Sequence, residues 1–230
     1  MSERARIVVL VSGNGSNLQA ILDACGGGQL PAAVVAVVSD KANAFGLQRA
    51  RDAAIAAEVQ PFGPFRRAHT QPRLAYDAAL AARVAAHRPD LVVLAGFMRI
   101  LSPTFIDAFA GRLINLHPAL PGALPGIHAI ARALAAYKTG DITTTGVMVH
   151  HVIAEVDAGA PIAVAEVAIS ADDDLATLSA RIHAVEHQLL VDAIAVLLPT
   201  LSQSSRPHSG LVPTPTARQA ALHSRSTESS

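Results

Sequence analysis

Short runs of β-branched and other apolar residues alternate along the chain with Ala-rich stretches of helical length. The strand candidates are RIVVLVS, AAVVAVVS, DLVVLAGF, RLINLH, TTTGVMVHHVI and PIAVAEVAI. The helix candidates are NLQAILDAC, GLQRARDAAIAA, RLAYDAALAARVAAH, HAIARALAAYK and LATLSARIHAVEHQLLVDAIAVLL. Continuously apolar strands that alternate with helices are typical of βαβ units. The pattern therefore predicts an α/β fold with a mostly parallel sheet and helices on both faces.

The pattern changes at Ser202, where a mixture of Ser, Pro, Thr and Arg with little apolar periodicity begins, SQSSRPHSGLVPTPTARQAALHSRSTESS. Such a composition buries too little apolar surface to fold by itself. We see no fixed-period repeat and no second core-forming segment. We therefore predict a single domain over residues 5–201 and a disordered C-terminal tail over residues 202–230.

Composition supports one compact domain that acts on small molecules. The chain has 230 residues, of which 51% are hydrophobic and 16% are charged. The 18 Lys and Arg balance the 18 Asp and Glu. A neutral chain does not favour nucleic-acid or membrane-surface binding. We expect small-molecule partners, no nucleic acid and no membrane.

Cysteine usage and the N-terminus bear on location. Cys25 is the only cysteine, so no intramolecular disulfide can form. The first apolar run, IVVLV, is too short for a signal peptide, and no run approaches the length of a membrane span. We expect a cytoplasmic protein.

A glycine turn, residues 13–17, follows the first strand candidate in VVLVSGNGSNLQAIL. Gly13 and Gly15 permit positive φ and a close backbone approach, and Ser16 or Asn17 could cap the helix. Unpaired N–H groups at a helix start bind anions such as phosphate. The dinucleotide fingerprint requires a third glycine where Leu18 stands, and the P-loop lysine is missing. The turn thus favours a mononucleotide-like phosphate, and a simple structural turn is the alternative.

Two further strand ends carry candidate ligand-binding residues, because ligands of open α/β sheets bind beyond the carboxyl ends of the strands. After LVVL comes an apolar wall, residues 97–101 (FMRIL), suited to a flat aromatic ligand. Core packing is the alternative interpretation of the wall. After RLI come Asn115 and His117, which alternation along a strand places on one side, with Leu116 on the other.

Asn115 and His117 together fit acyl transfer to an amine. An Asn N–H can stabilise an oxyanion, and a His can carry a proton near neutral pH. Asp157, in AEVDAGAPI, is the best candidate for a carboxylate that orients the imidazole. A structural or solvated His117 and a simple Asp turn at 157 are the alternatives.

Two histidine pairs invite a metal-site interpretation that we do not favour. HAVEH, residues 183–187, matches the H-x-x-E-H zinc-peptidase pattern, but no further acidic ligand motif supports a third zinc position. His150 and His151 are poor joint ligands, because adjacent residues of a strand point to opposite faces. We predict no metal.

Taken together, SGNGSNLQAI, LAGFMRILS, GRLINLHP and VDAGAPI resemble the glycinamide ribonucleotide formyltransferase family over about residues 5–200. The resemblance implies a doubly wound, Rossmann-like sheet. It also implies a reaction of purine synthesis, in which the glycinamide amine of the ribonucleotide attacks the formyl carbon of the cosubstrate 10-formyltetrahydrofolate.

The resemblance also assigns roles to individual residues. The substrate phosphate would be held by Gly15, Ser16 and Asn17, and the ribonucleotide by Glu186. The folate would be held by Arg73, Met98, Arg99, Ile100, Leu101 and Asn115. The catalytic residues would be Asn115, His117 and Asp157, of which Asp157 raises the pKa of the histidine and helps organise a water.

The loop after His117 departs from the family pattern H-P-S-L-L-P, since it reads HPALPG. Ala129 and Ile130 stand where the family has Thr and a second His after His128. We expect altered affinity or rate with the chemistry retained, and His128 to be a substrate-side or structural contact.

Competing interpretations stay open. The nearest are formyltetrahydrofolate hydrolase and methionyl-tRNA formyltransferase, which use water or a charged tRNA in place of the amine. A nonenzymatic nucleotide-sensing module is the alternative of a different class. The oligomeric state is expected to be a monomer or a homodimer.

Overall fold

The structure is a computed structural model that describes residues 4–204, with side chains described to residue 201. Within this part of the chain there are seven strands and seven helices. The strands are β1 Ala5–Val11, β2 Ala32–Ser39, β3 Ala56–Val59, β4 Leu91–Leu94, β5 Leu113–His117, β6 Thr144–His151 and β7 Pro161–Ala168. The helices are α1 Ser16–Gly26, α2 Phe45–Asp52, α3 Gly63–Ala68, α4 Pro72–Ala86, α5 Pro103–Ala108, α6 Ala129–Thr139 and α7 Leu175–Ser204.

All described strands form one sheet in the order β3-β2-β1-β4-β5-β6-β7. Strands β1 to β5 are parallel to one another, while β6 is antiparallel to β5 and β7 is antiparallel to β6. The strand order reverses between β1 and β4, which defines the topological switch point of a doubly wound sheet. This confirms the predicted α/β fold with a mostly parallel sheet.

The core lies on both faces of the sheet, as the central strand β1 shows. Its five buried residues, 7–11, are all apolar and point alternately to the two faces. Ile7, Val9 and Val11 belong to the hydrophobic cluster that contains residues of α1 and α7. Val8 and Leu10 belong to the cluster that contains residues of α4 and α5. Successive side chains of a strand point to opposite faces, so a continuous apolar run predicts a strand covered on both sides.

The sequence interpretation missed one strand and two short helices. The stretch GLQRARDAAIAA was predicted to be one helix, but α2 ends at Asp52 and β3 begins at Ala56. Ala54 has φ 56°, which breaks the helix, and β3 then pairs with β2. An Ala-rich segment carries little local preference for a strand, so this pairing is set by the sheet. The helices α3 and α5 were not predicted.

Helix α7 corrects the expectation that no run approaches a membrane span. Its residues Leu175–Leu201 are long and apolar enough to cross a membrane by length and composition alone. In the structure α7 packs against β6, β7 and α1. Leu178, Ile182, Leu190 and Ile194 are fully buried there. Its apolar length is therefore used as a core helix.

The predicted tail lies almost entirely outside the described residues. The backbone of α7 extends to Ser204, three residues past the predicted domain end at 201. The prediction of disorder beyond that point concerns residues outside those described.

Candidate active site

A pocket of about 200 Å³ opens at the carboxyl ends of β4 and β5. The apolar wall forms one side of the pocket, the end of β5 forms its floor, and two loops close it at residues 126–129 and 152–157. Because the parallel strands end at this edge, residues far apart in the chain meet there. The pocket therefore lies where the sequence interpretation placed a ligand.

Asn115, His117 and Asp157 meet at the floor of this pocket, as predicted. The amide Nδ2 of Asn115 donates to Oδ1 of Asp157 at 3.2 Å. The Nδ1 atom of His117 lies 3.3 Å from Oδ2 of Asp157. The side chains of His117 and Asp157 are only 5% and 10% exposed. One carboxylate thus fixes both the amide and the imidazole.

The two ring nitrogens of the buried His117 side chain face different acceptors. Its Nε2 lies 3.1 Å from the carbonyl oxygen of Leu124, opposite to the side that faces Asp157. Burial lowers the pKa of His117, whereas Asp157 and the Leu124 carbonyl act in the raising direction. The net pKa lies below that of an ordinary histidine. Asp157 therefore acts in the direction that the family resemblance implies, but burial outweighs it.

Asp157 sits in a loop conformation that aims its carboxylate into the site. Its φ is 54°, in the left-handed region, and it belongs to the loop between β6 and β7. Burial raises the pKa of Asp157, but contacts with His150 and the Gly126 N–H, together with the charge of His117, lower it overall. The Gly126 N–H donates to Oδ2 at 2.8 Å. Asp157 is therefore an anion that organises the site.

His150 also belongs to the cluster formed by Asn115, His117 and Asp157. The sequence analysis considered it only as a metal ligand. Its Nδ1 lies 2.9 Å from the backbone oxygen of His151. Its Nε2 lies 3.1 Å from Nδ2 of Asn115 and 3.6 Å from Oδ1 of Asp157. The register that pairs Asn115 with His150 brings them together. The antiparallel position of β6, which the sequence does not reveal, was the missing signal.

The glycine turn begins α1, but not by the predicted side-chain cap. Gly15 is the N-cap residue with φ 75°, and no side chain caps the helix. The expectation that Ser16 or Asn17 caps α1 is therefore wrong. A Cβ on Gly15 would lie 2.7 Å from Cα of Gly46, so only glycine fits this turn against α2. The first N–H groups of α1 remain available to an anion.

The structure brings Glu186 to the glycine turn. Asn17 Nδ2 donates to Oε2 of Glu186 at 2.9 Å. Glu186 is 4% exposed, and the same oxygen lies 2.9 Å from Nδ1 of His183. The hydrogen bond from His183 to Glu186 raises the pKa of His183. The Oδ1 atom of Asn17 is buried and unpartnered within the described residues, so it can accept from a ligand.

Arg49 supplies a positive charge beside this turn, which sequence reasoning missed. Its Nε donates to the backbone oxygen of Asn14 at 3.0 Å. Its Nη2 donates to Oδ1 of the same residue at 3.0 Å. The helix α2 that carries Arg49 also contacts the turn through the Gly46 N–H, which donates to the oxygen of Gly13 at 3.1 Å. A turn without a lysine therefore still has a cation next to it.

The residues predicted to bind folate differ in how they relate to the pocket. Met98 and Ile100 are 61% and 59% exposed at the pocket, whereas Leu101 is buried. The Arg99 guanidinium lies against the rings of Phe62 and Tyr76, although its residue borders the pocket. Arg73 is not among the residues that line the pocket.

Two predicted residues remain, Arg73 outside the pocket lining and His128 within it. Arg73 lies in α4, with its Nε 3.7 Å from Oδ2 of the buried Asp77. Its assignment to the folate stays a prediction. His128 is exposed at the pocket edge and is the N-cap residue of α6 with φ 58°. The contacts of the Asp157 carboxylate are with Asn115, His117, His150 and the N–H of Gly126.

Within residues 4–201, no group of three or more His, Cys, Asp or Glu side chains is arranged to hold a metal ion. In HAVEH, the glutamate instead receives a hydrogen bond from Asn17.

Comparison with known proteins supports the same interpretation. Residues 5–194 match the family model described as formyl transferase. A phosphoribosylglycinamide formyltransferase of Schizosaccharomyces pombe is 49% identical over 197 residues, which cover 83% of this chain and 95% of the relative. The Escherichia coli protein of the same name is 46% identical over 183 residues, 80% of this chain and 82% of the relative.

A solved structure agrees in fold. The glycinamide ribonucleotide transformylase 1 of Symbiobacterium toebii superposes with a TM-score of 0.77 at 41% identity, covering 85% of this chain and 88% of that one. The family match spans the glycine turn, the apolar wall and the Asn115, His117 and Asp157 cluster. The chain belongs to the formyl transferase family.

Proposed function

We propose that the protein is a phosphoribosylglycinamide formyltransferase. It transfers the formyl group of 10-formyltetrahydrofolate to the glycinamide amine of 5-phosphoribosylglycinamide, a step of purine biosynthesis. The observation that carries the proposal is the convergence of Asn115, His117 and Asp157 at the floor of an apolar pocket. The names of the relatives support the choice of substrate.

The chemistry starts with attack of the amine nitrogen on the formyl carbon. The carbonyl oxygen becomes an oxyanion, which the Asn115 amide can stabilise by a hydrogen bond. His117 takes the proton that the amine loses and returns it to the folate nitrogen as the carbon–nitrogen bond breaks. The products are the formylated amide and tetrahydrofolate.

The geometry of His117 fits this role. Its Nδ1 faces Asp157, so Nε2 is the nitrogen that can reach the amine. In the structure Nε2 faces the carbonyl oxygen of Leu124 at 3.1 Å, so the amine must take the place of this oxygen. The lowered pKa of His117 keeps the ring neutral at pH 7, as a general base requires. Asp157 then stabilises the imidazolium that forms.

The two substrates are assigned to two ends of the site. The apolar wall suits the flat pterin of the folate. The glycine turn with the neighbouring Arg49 suits the phosphate of the ribonucleotide. Glu186, held by Asn17 beside this turn, suits a hydroxyl of the ribose.

The alternatives predict different products. A formyltetrahydrofolate hydrolase on the same scaffold releases formate without an amine, and a methionyl-tRNA formyltransferase needs a charged tRNA. A nonenzymatic nucleotide-sensing module gives no use for the Asn115, His117 and Asp157 cluster. The glycine turn favours the small ribonucleotide over water or tRNA.

The test is formyl transfer by the purified protein, followed optically at the folate, with and without the ribonucleotide amine. We expect tetrahydrofolate to form only when the amine is present. Consumption of the formyl folate without the amine would assign hydrolysis. No consumption in either reaction would overturn the enzymatic assignment.

Location and partners stay predictions. The single cysteine, Cys25, is buried and free, which fits the expected cytoplasmic location. Small-molecule partners alone, with no nucleic acid and no membrane, are expected from the neutral charge. A monomer and a homodimer are both consistent with the sequence.

A further inference from the structure

The apolar wall is a loop segment, yet its backbone is fixed at both ends by side chains from distant parts of the chain, Ser12 just after β1 and Asp77 in α4. The N–H of Met98 donates to Oγ of Ser12 at 2.8 Å. The N–H of Ser102, just beyond the wall, donates to Oδ2 of Asp77 at 2.7 Å. Asp77 is 1% exposed. Two buried acceptors thus hold a segment that has no strand or helix hydrogen bonds of its own over residues 97–101.

A third buried side chain, that of Asp40 just after β2, links the Ser12 contact to Arg99 in the middle of the wall. Ser12 Oγ donates to Oδ1 of Asp40 at 2.6 Å. The other carboxylate oxygen lies 3.4 Å from Nη1 of Arg99, and the Asp40 side chain is 5% exposed. One carboxylate therefore supports Met98 through the serine hydroxyl and Arg99 directly. Charge-assisted hydrogen bonds of this kind are stronger than neutral ones.

The Arg99 guanidinium is committed to this side of the wall. Its Cζ lies 4.3 Å from the ring centroid of Phe62 and 5.0 Å from that of Tyr76. A guanidinium that is stacked on two rings and paired with a carboxylate gains cation–π and ionic stabilisation there. Turning it toward the pocket would leave Asp40 as a buried unpaired charge, which is costly.

We propose that Asp40 and Arg99 are positioning residues that fix the backbone of the apolar wall and so set the affinity for the folate. This rests on the proposed function for the identity of the ligand. Arg99 then acts on the folate through the backbone that it anchors, and its guanidinium makes no contact with the substrate.

The test compares D40N and R99Q with the wild-type full chain in formyl transfer. D40N keeps an oxygen for Ser12 but removes the charge that faces Arg99. We expect each variant to raise KM for 10-formyltetrahydrofolate roughly tenfold, the size of one lost charge-assisted contact. KM for the ribonucleotide should stay within about twofold, because the glycine turn is held by other groups. The double variant should be no worse than either single one.

Asp192 provides the matched control. It is an exposed carboxylate of α7 that accepts from Gln188 four residues earlier. D192N changes the same chemical group far from the wall and should leave both KM values unchanged. If R99Q raises KM for the folate and D40N does not, the guanidinium contacts the folate itself and the proposal is overturned. The proposal would also be overturned if D40N raised KM for the folate and KM for the ribonucleotide equally, or if it changed neither.

A readout without substrate separates this inference from the proposed function. Hydrogen exchange of the Met98 amide should quicken in D40N, because the Asn oxygen accepts from Ser12 without the negative charge that strengthens this hydrogen bond. Should the wild type fail to transfer formyl groups, the proposed function fails, and the exchange rate alone decides whether Asp40 positions the wall. Unchanged Met98 exchange in D40N would contradict the positioning role. If D40N does not fold, R99Q supplies the same comparison from the partly exposed partner.

Discussion

Replacing Asp157 by Asn removes one negative charge from the active site and keeps the shape of the side chain. In the wild type this charge lies 3.3 Å from Nδ1 of His117. At that distance the attraction for an imidazolium is about 5 kcal/mol at an effective dielectric constant of about 20, and about 1.3 kcal/mol at about 80, the value of water. The change therefore acts on the state in which His117 has taken the proton.

The burial of His117 and Asp157 decides which of these two interaction energies is the better guide. The two side chains are only 5% and 10% exposed, so the interaction is screened less than in water, while the nearby backbone groups share the charge of Asp157. We expect D157N to raise the barrier by about 2–4 kcal/mol, which lowers kcat roughly 30- to 1000-fold. Steady-state formyl transfer at saturating concentrations of both substrates measures this loss.

The pH profile of kcat gives an independent check on the same variant. The reaction needs neutral His117, so kcat falls as the pH drops through the pKa of this residue. Asp157 raises that pKa and burial lowers it. Without the carboxylate, the pKa of His117 should fall further, because burial still lowers it and Asp157 no longer raises it. The acidic limb of D157N should therefore lie at lower pH than that of the wild type.

Glu166 offers the control for this experiment, since it is an exposed carboxylate of β7 that does not line the pocket. E166Q should keep kcat and the acidic limb of the wild type. A D157N enzyme with kcat within about threefold of the wild type, or with its acidic limb at higher pH, would refute the reasoning about the charge.

Three further changes test other parts of the site. G126A should lower kcat about tenfold, because an Ala at φ 83° is strained and shifts the N–H that donates to Asp157. G122A is the control, since it introduces the same strain at φ 75° without a contact to Asp157, and its kcat should stay within about threefold of the wild type. R49Q should raise KM for the ribonucleotide about tenfold and leave KM for the folate unchanged, while R51Q, an exposed neighbour in α2, should change neither. E186A leaves the partly buried Asn17 amide without its acceptor, so thermal denaturation should show a loss of about 1–3 kcal/mol, and KM for the ribonucleotide should rise; an unchanged melting temperature would contradict the role of that carboxylate.

The fold could be predicted where local pattern and tertiary environment agree. The continuous apolar run of β1 and the glycine turn after it specify a buried strand that leads into a helix. The strand β3 could not be found in this way, because its four residues AAEV continue an Ala-rich stretch. Only pairing with β2 makes them a strand.

In the active site, too, the features set by local strand geometry could be predicted and those set by distant parts of the chain could not. Alternation along β5 correctly placed Asn115 and His117 on one side, since that depends on strand geometry alone. The place of His150 depends on the antiparallel register of β6, which no local pattern encodes. Likewise, the direction of the Arg99 side chain is set by Asp40 and by rings that are distant in the chain.

The central claim is that His117 transfers a proton during formyl transfer between two small molecules. Its most direct test is formyl transfer by the wild type and H117A with both substrates saturating, together with the affinity of each protein for the folate. We predict product formation by the wild type, a loss of about 10²- to 10⁴-fold in kcat for H117A, and retained folate binding. Unchanged turnover in H117A would contradict the account.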